Sequence, residues 1–177
     1  MPSTSSKTST RTSKPAAGAK RDATPDAIDL LTSDHREVKA LFKAYDKLVK
    51  DDGDAGEKQA LAAQICVMLT AHATAEEELF YPAAREVLGK DEDLVDEADV
   101  EHASAKELIA QIEAGSPDDD HYDAKVKVLG EYIDHHVKEE EGEMFPKVRK
   151  SDLDLDALGE AIAERKAQLM GLDAEPH

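Results

Sequence analysis

Six residues of this chain combine metal-ligand chemistry with a spacing that puts them on apolar helix faces: His35, His72, Glu76, His102, His136 and Glu140. Glu76 follows His72 by four residues and Glu140 follows His136 by four, so each pair stacks on one side of a helix, one turn apart. An imidazole and a carboxylate then point together into an apolar interior. A buried, unpaired carboxylate is costly, and two in one core repel unless they are protonated or held by a cation. A bound cation answers both problems. Cys66 is the single cysteine, which excludes an intramolecular disulfide and a thiolate zinc cluster, so the ligands must be imidazole nitrogen and carboxylate oxygen.

The surroundings of the two pairs repeat. His72-Ala-Thr-Ala-Glu76-Glu77-Glu78-Leu79-Phe80-Tyr81-Pro82 matches His136-Val-Lys-Glu-Glu140-Glu141-Gly142-Glu143-Met144-Phe145-Pro146, with Glu at plus four and plus five, apolar or aromatic residues at plus eight and nine, and Pro at plus ten. The other two histidines repeat as well: Asp34-His35 is followed by Lys39, Leu41 and Phe42, and Glu101-His102 by Lys106, Leu108 and Ile109. The pattern is an internal duplication of a helical hairpin. Two hairpins about a pseudo-twofold axis bring four imidazoles and two carboxylates to one centre, which predicts a dinuclear site. Two octahedral ions offer about twelve positions, of which these residues fill about eight, leaving space for solvent, a bridging oxygen and an exogenous ligand. Such a donor set suits iron, manganese or zinc, and paired ions in helical bundles favour iron.

The elements that must position these residues are helices. Ile28, Leu31, His35, Val38, Phe42, Tyr45 and Val49 step by three and four from residue 26 until Asp51-Asp52-Gly53, where a glycine can end a helix in a left-handed turn. A second helix is expected over about 56–88, kinked or broken near Pro82; a third over about 92–114, with Val95, Ala98, His102, Ala105, Ile109 and Ile112 inward; and a fourth over about 118–148, with Leu129, Ile133, His136, Glu140 and Met144 inward. A fifth, shorter helix spans about 153–170 and turns Leu155, Leu158, Ile162, Arg165 and Leu169 to the rest. The expected fold is all-α, an up-down-up-down four-helix bundle over 26–150, with an additional C-terminal helix in 151–177 packed on it.

Residues 1–25 have no apolar period and predict a disordered tail, whose Lys7, Arg11, Lys14, Lys20 and Arg21 outnumber Asp22. A charge of −18 over 177 residues argues against nucleic acid on the bundle and against anionic membranes. No apolar run is long enough to span a bilayer and no signal peptide is visible, which points to the cytoplasm. A protein partner is not indicated.

On these residues, 30–150 resemble a hemerythrin-like, HHE cation-binding domain: His, then His-x-x-x-Glu, then His, then His-x-x-x-Glu, with Phe-Tyr-Pro and Met-Phe-Pro closing the two hairpins. The resemblance implies that His35, His72, His102 and His136 are iron ligands, that Glu76 and Glu140 are bridging carboxylates, and that two iron ions form a non-heme, oxo- or hydroxo-bridged di-iron centre. It implies binding of, or reaction with, dioxygen, peroxide or nitric oxide, or alternatively a module that senses iron or oxygen without turnover. The oxygen carriers of this family have a further His four residues after the third ligand; that position is Lys106. Lys39 holds the equivalent place in the first repeat, so Lys106 reads as a bundle-edge lysine. Asp99, one turn before His102, reads as a solvated aspartate, with a ligand role as its alternative. His135 and Glu139 lie about 100° around the helix from the ligands, which puts His135 on the surface or just behind the ligands. His121 and His177 are expected in solvent. Tyr45 and Tyr132 are expected on or near inward faces with satisfied hydroxyls, and Cys66 as a small buried residue. The remaining acids of 76–78 and 139–141 are expected on solvated faces.

Overall fold

In the computed structural model, which describes residues 24–172, three aspartates start helices by the same device. Asp26 accepts from the Asp29 N–H at 2.9 Å while Asp29 accepts back from Asp26 at 3.3 Å, a reciprocal cap for α1 (Ala27–Lys50). Asp54 caps α2 (Ala55–Ala75) through the Glu57 N–H at 3.1 Å, and Asp154 caps α7 (Leu155–Leu169) through the Ala157 N–H at 3.0 Å. The expected disordered tail lies, apart from Thr24 and Pro25, outside the described residues.

The expected helices are present with altered ends. Between α1 and α2 it is Asp52, at φ 52°, that takes the left-handed conformation rather than Gly53, whose N–H donates to the Leu48 carbonyl at 2.7 Å; aspartate tolerates this region better than most residues. After α4 (Asp93–Ala114) the fourth long helix, α5 (Tyr122–Glu139), begins four residues later than expected. Asp119 accepts from the Ser116 N–H at 2.7 Å to form a turn, and His121 has φ 68°, a conformation a helix cannot pass through.

The second and fourth helices do not run straight to their prolines. A π-helical turn, Glu76–Phe80, interrupts the second, which resumes as α3 (Tyr81–Leu88), followed by a short 3-10 turn, Gly89–Asp91. A second π turn, Glu140–Met144, precedes α6 (Phe145–Arg149). In both cases Pro falls in the first turn of the new helix, where its missing N–H is harmless. The wide turn replaces a kink as the way the chain accommodates Pro82 and Pro146.

In the bundle α1 packs on α2 and α5, and α4 packs on α5 and α2. The fifth helix, α7, lies against α1, α2 and the first π turn. Its approach to α1 is so close that a Cβ on Gly159 would stand 2.8 Å from the Ala27 nitrogen. Two apolar clusters form the core. One contains Leu31, Phe80, Tyr81, Phe145 and Ile162, the other Tyr45, Ile65, Leu69, Ile109 and Leu129. Among the described residues there is no strand, and no helix is long and apolar enough to cross a membrane. Three expected inward apolar or aromatic residues are not inward: Tyr132 is 49% exposed, and Val49 and Leu169, at the C-terminal ends of α1 and α7, are each 36% exposed. Arg165 also turns outward, forking onto Glu78 at 2.6 and 3.0 Å.

Candidate metal centre

All six candidate ligands are buried, and they are the only buried polar or charged residues among those described: His35, His72, Glu76, His102, His136 and Glu140. Each long helix of the bundle contributes one imidazole, and the start of each π turn contributes one carboxylate. The nitrogens converge in pairs. His35 Nε2 lies 3.2 Å from His72 Nε2, and His102 Nε2 lies 3.1 Å from His136 Nε2. Glu76 faces both pairs with separate oxygens, Oε1 at 3.2 Å from His72 and Oε2 at 3.3 Å from His102. Glu140 faces both pairs with one oxygen, Oε2, at 3.3 Å from His35 and 3.4 Å from His136.

Each imidazole is held from behind by a carboxylate on Nδ1. Asp34 holds His72 at 2.9 Å, Glu101 holds His136 at 2.7 Å, Glu77 holds His102 at 3.0 Å and Glu141 holds His35 at 2.9 Å. These contacts place the proton on Nδ1 and aim the Nε2 lone pair inward, the arrangement that orients histidines around a metal. The pattern obeys the duplication. Within each hairpin the residue before the first His reaches the second, and the residue after each Glu crosses to the other hairpin. Glu77 and Glu141, expected on solvated faces, thus each contact an imidazole of the candidate site, a correction to the sequence reading, although Glu141 stays exposed; Asp34 and Glu101 do the same. Their positions next to the ligands in both repeats were the available signal.

Tyr81 is the second addition. Its hydroxyl donates to Glu140 Oε1 at 2.8 Å and lies 3.2 Å from His102 Nε2. In a regular helix, Tyr81 would stand about 140° around from Glu76; in the π turn its N–H bonds to the Glu76 carbonyl, so the ring lies over the ligand. Burial first, then the charges of Glu76 and Glu140, raise the phenol well above its ordinary value, so it remains a proton donor.

The electrostatics test whether a cation fits. Burial alone would lower the His72 and His136 pKa values, yet the charges of Glu76 and Glu140, with the bonds to Asp34 and Glu101, raise them to about 10 and about 11. Burial pushes Glu140 toward its neutral form, but the facing His136 and His35 hold it well below the ordinary carboxylate range. Positive charge is required at this point by the carboxylates themselves. Glu76 Oε1 and Glu140 Oε2 are buried without a hydrogen-bond partner, and the Nε2 atoms of each histidine pair stand only 3.1–3.2 Å apart. A cation between them relieves all of these at once, and the donor set fits one. Ligand atoms of His35, His72, Glu76 and Glu140 lie within 4.8 Å of one another, as do those of Glu76, His102 and His136.

The remaining candidates fall outside. Asp99 pairs with Arg85 at 2.7 Å. Lys106 pairs with Glu77 at 2.5 Å, which links it to the site through His102 without making it a ligand. His135 is exposed, Tyr45 donates to Asp123 at 2.7 Å, Cys66 is buried, and His177 lies outside the described residues. A small cavity of about 20 Å³ adjoins all four imidazoles, lined by Val38, Leu69, Ile109 and Ile133 and reaching Lys106.

Comparison with known proteins agrees with this construction. Residues 26–148 match the family model of the hemerythrin HHE cation binding domain. A protein of Nostoc sp. described as a DNA nickase is 32% identical over 123 residues, which are 70% of this chain but 33% of that protein. The chain thus spans about a third of that relative's length. The crystal structure of a hemerythrin HHE cation binding domain-containing protein from Mycobacterium kansasii superposes with a TM-score of 0.66 over 83% of this chain and 88% of the other, at 24% identity, which shows a shared fold. Four imidazoles and two carboxylates on a duplicated helical hairpin, matched over most of the bundle by that family model, make this chain a member of the hemerythrin HHE cation-binding domain family.

Proposed function

We propose that the centre holds two iron ions and binds, or reacts with, a small oxidant: dioxygen, peroxide or nitric oxide. The observation that carries this reading is the placement of Glu76, whose two oxygens face different histidine pairs, as a carboxylate shared by two ions requires. His35 with His72, and His102 with His136, would each hold one ion, and Glu140 would complete both. Bound iron would supply the electrons and the open positions for the oxidant. The cavity sets the size class, since about 20 Å³ accommodates roughly one water-sized or diatomic molecule. Its walls beside the imidazoles are mostly apolar. Tyr81 holds a proton on its hydroxyl beside Glu140, and the Nδ1 carboxylates keep the imidazoles oriented through a change of charge. The net charge of −18 repels a polyanion, so the bundle itself is assigned no nucleic-acid role, and the reading places the protein in the cytoplasm.

A second reading, a sensor without turnover, has its own observation. Lys166 of α7 pairs with Asp34, which holds His72, so the position of the fifth helix is tied to the centre. The test is metal analysis of the iron-replete full chain, followed by mixing the reduced protein with dioxygen, hydrogen peroxide or nitric oxide. Two irons per chain and consumption of the oxidant over repeated cycles support the first reading. Two irons with a stoichiometric response and altered protease cleavage around α7 favour the sensor, and one iron or none rejects both.

A further inference from the structure

On the α4–α5 surface a second constellation of ligands stands outside the buried centre. His135 Nε2 lies 3.2 Å from Glu139 Oε1 and 3.5 Å from Glu101 Oε1. The three donor atoms fall within 4.8 Å of one another. His135 is 66% exposed, so an ion can arrive there from water with most of its hydration shell intact. The carboxylates of Glu97 and Glu143 also act on Glu139, so the surroundings are strongly negative.

What gives this cluster a direction is its connection inward. Glu101 is shared: Oε1 faces His135 while Oε2 holds His136 Nδ1 at 2.7 Å. A narrow gap of about 10 Å³ lies beside it, lined by Glu101, Glu139, His136, Glu140 and Met144. Glu101 therefore links the surface cluster to one buried histidine, and the gap that it lines also touches Glu140. The larger groove between α1 and α5, about 530 Å³, also reaches His35, but Lys39, Lys43 and Lys127 stand among its acids and no cluster of cation ligands is found there among the described residues.

We propose that His135, Glu139 and Glu101 form an outer site for a divalent transition-metal ion, through which ions pass to the buried centre. One imidazole and two carboxylates in an exposed setting make a weak, open site, the property a transfer site needs, since an ion must leave as well as arrive. The passage rests on the dinuclear reading above; the outer site does not.

The experiment uses the full chain. With the buried centre filled with iron and its content measured, Zn²⁺ is titrated by calorimetry; the wild type should take up one further ion, and His135→Ala and Glu139→Gln should weaken that step by about 10–100-fold, as loss of groups around a metal does. Ferrous iron is then added to chelator-stripped protein, and the two variants should fill several-fold more slowly than wild type while reaching the same final iron content. Absence of a further Zn²⁺ ion in wild type, or equal binding in the variants, overturns the outer site. Equal filling rates overturn the passage. A buried iron count other than two tells against the dinuclear reading alone and leaves the Zn²⁺ result standing.

Discussion

The first hairpin, α1 with α2, and the second, α4 with α5, supply matching donors to the centre yet differ in what stands behind them. His35, His72 and Glu76 correspond to His102, His136 and Glu140, and the outer acids Asp34 and Glu77 to Glu101 and Glu141. At the residue after each π turn the match breaks. Tyr81 donates to Glu140, whereas its counterpart Phe145 stacks on His35 with rings 5.8 Å apart and 3° from parallel. The backing of the acids differs too: half-buried Lys166 behind Asp34, exposed His135 beside Glu101. The duplication explains why there is a centre, and the differences explain why its two ends need not behave alike.

Removing a shared carboxylate should break the comparison most severely. Glu76→Ala and Glu140→Ala each take one oxygen donor from both histidine pairs, so both should lose dinuclear binding, as should His72→Ala and His136→Ala. An ion bound only to the folded chain, with free metal at 100 times its Kd, contributes about 2.7 kcal/mol, so losing one should lower Tm by roughly 5–10 °C. Calorimetric melting before and after chelation checks this.

Neutralising an outer acid should do less. Asp34→Asn and Glu101→Gln should each weaken metal binding by about 10–100-fold while leaving the count at two under excess metal. Competition against a chromophoric chelator measures it. Glu141, more exposed than the others, should give the smallest loss of the four.

Tyr81→Phe makes the two ends alike and leaves Glu140 Oε1 without its donor. Metal content should stay at two, stability should fall by about 1 kcal/mol, and the pH dependence of the oxidant reaction should change because the proton beside Glu140 is gone. Phe145→Tyr tests the converse: it should not restore activity to Tyr81→Phe, since position 145 packs against a different imidazole.

The smallest effects belong to the lysines. Lys106 is 46% exposed, and its pair with Glu77 should contribute about 0.2–1 kcal/mol. Lys166 is 19% exposed beside Asp34, so Lys166→Ala should exceed Lys106→Ala both in stability loss and in metal affinity, measured on the same preparations.

The six candidate ligands were legible in the sequence because a polar residue on an apolar stripe violates its own periodicity, and the repeat showed the violation twice. The four outer acids were not legible as site residues. Each lies next to a candidate ligand, about 100° around its helix, where sequence periodicity predicts solvent; only an imidazole on another helix gives that face a partner. Tyr81 was hidden for a different reason. Regular α-helical counting points it away from Glu76, and the widened turn that realigns it arises from the chain's response to Pro82. The late start of α5 depended on the left-handed His121, which no spacing rule forecasts. The bundle, by contrast, followed from the long stripes, since four helices with one apolar face each have few other ways to bury them.

The central claim is that the two hairpins build one centre in which a single carboxylate serves both ends. Iron content per chain, measured on reconstituted wild type and on Glu76→Ala side by side, tests it most directly. The account predicts two irons in wild type and one or none in Glu76→Ala; one iron in wild type, or two retained without Glu76, would contradict it.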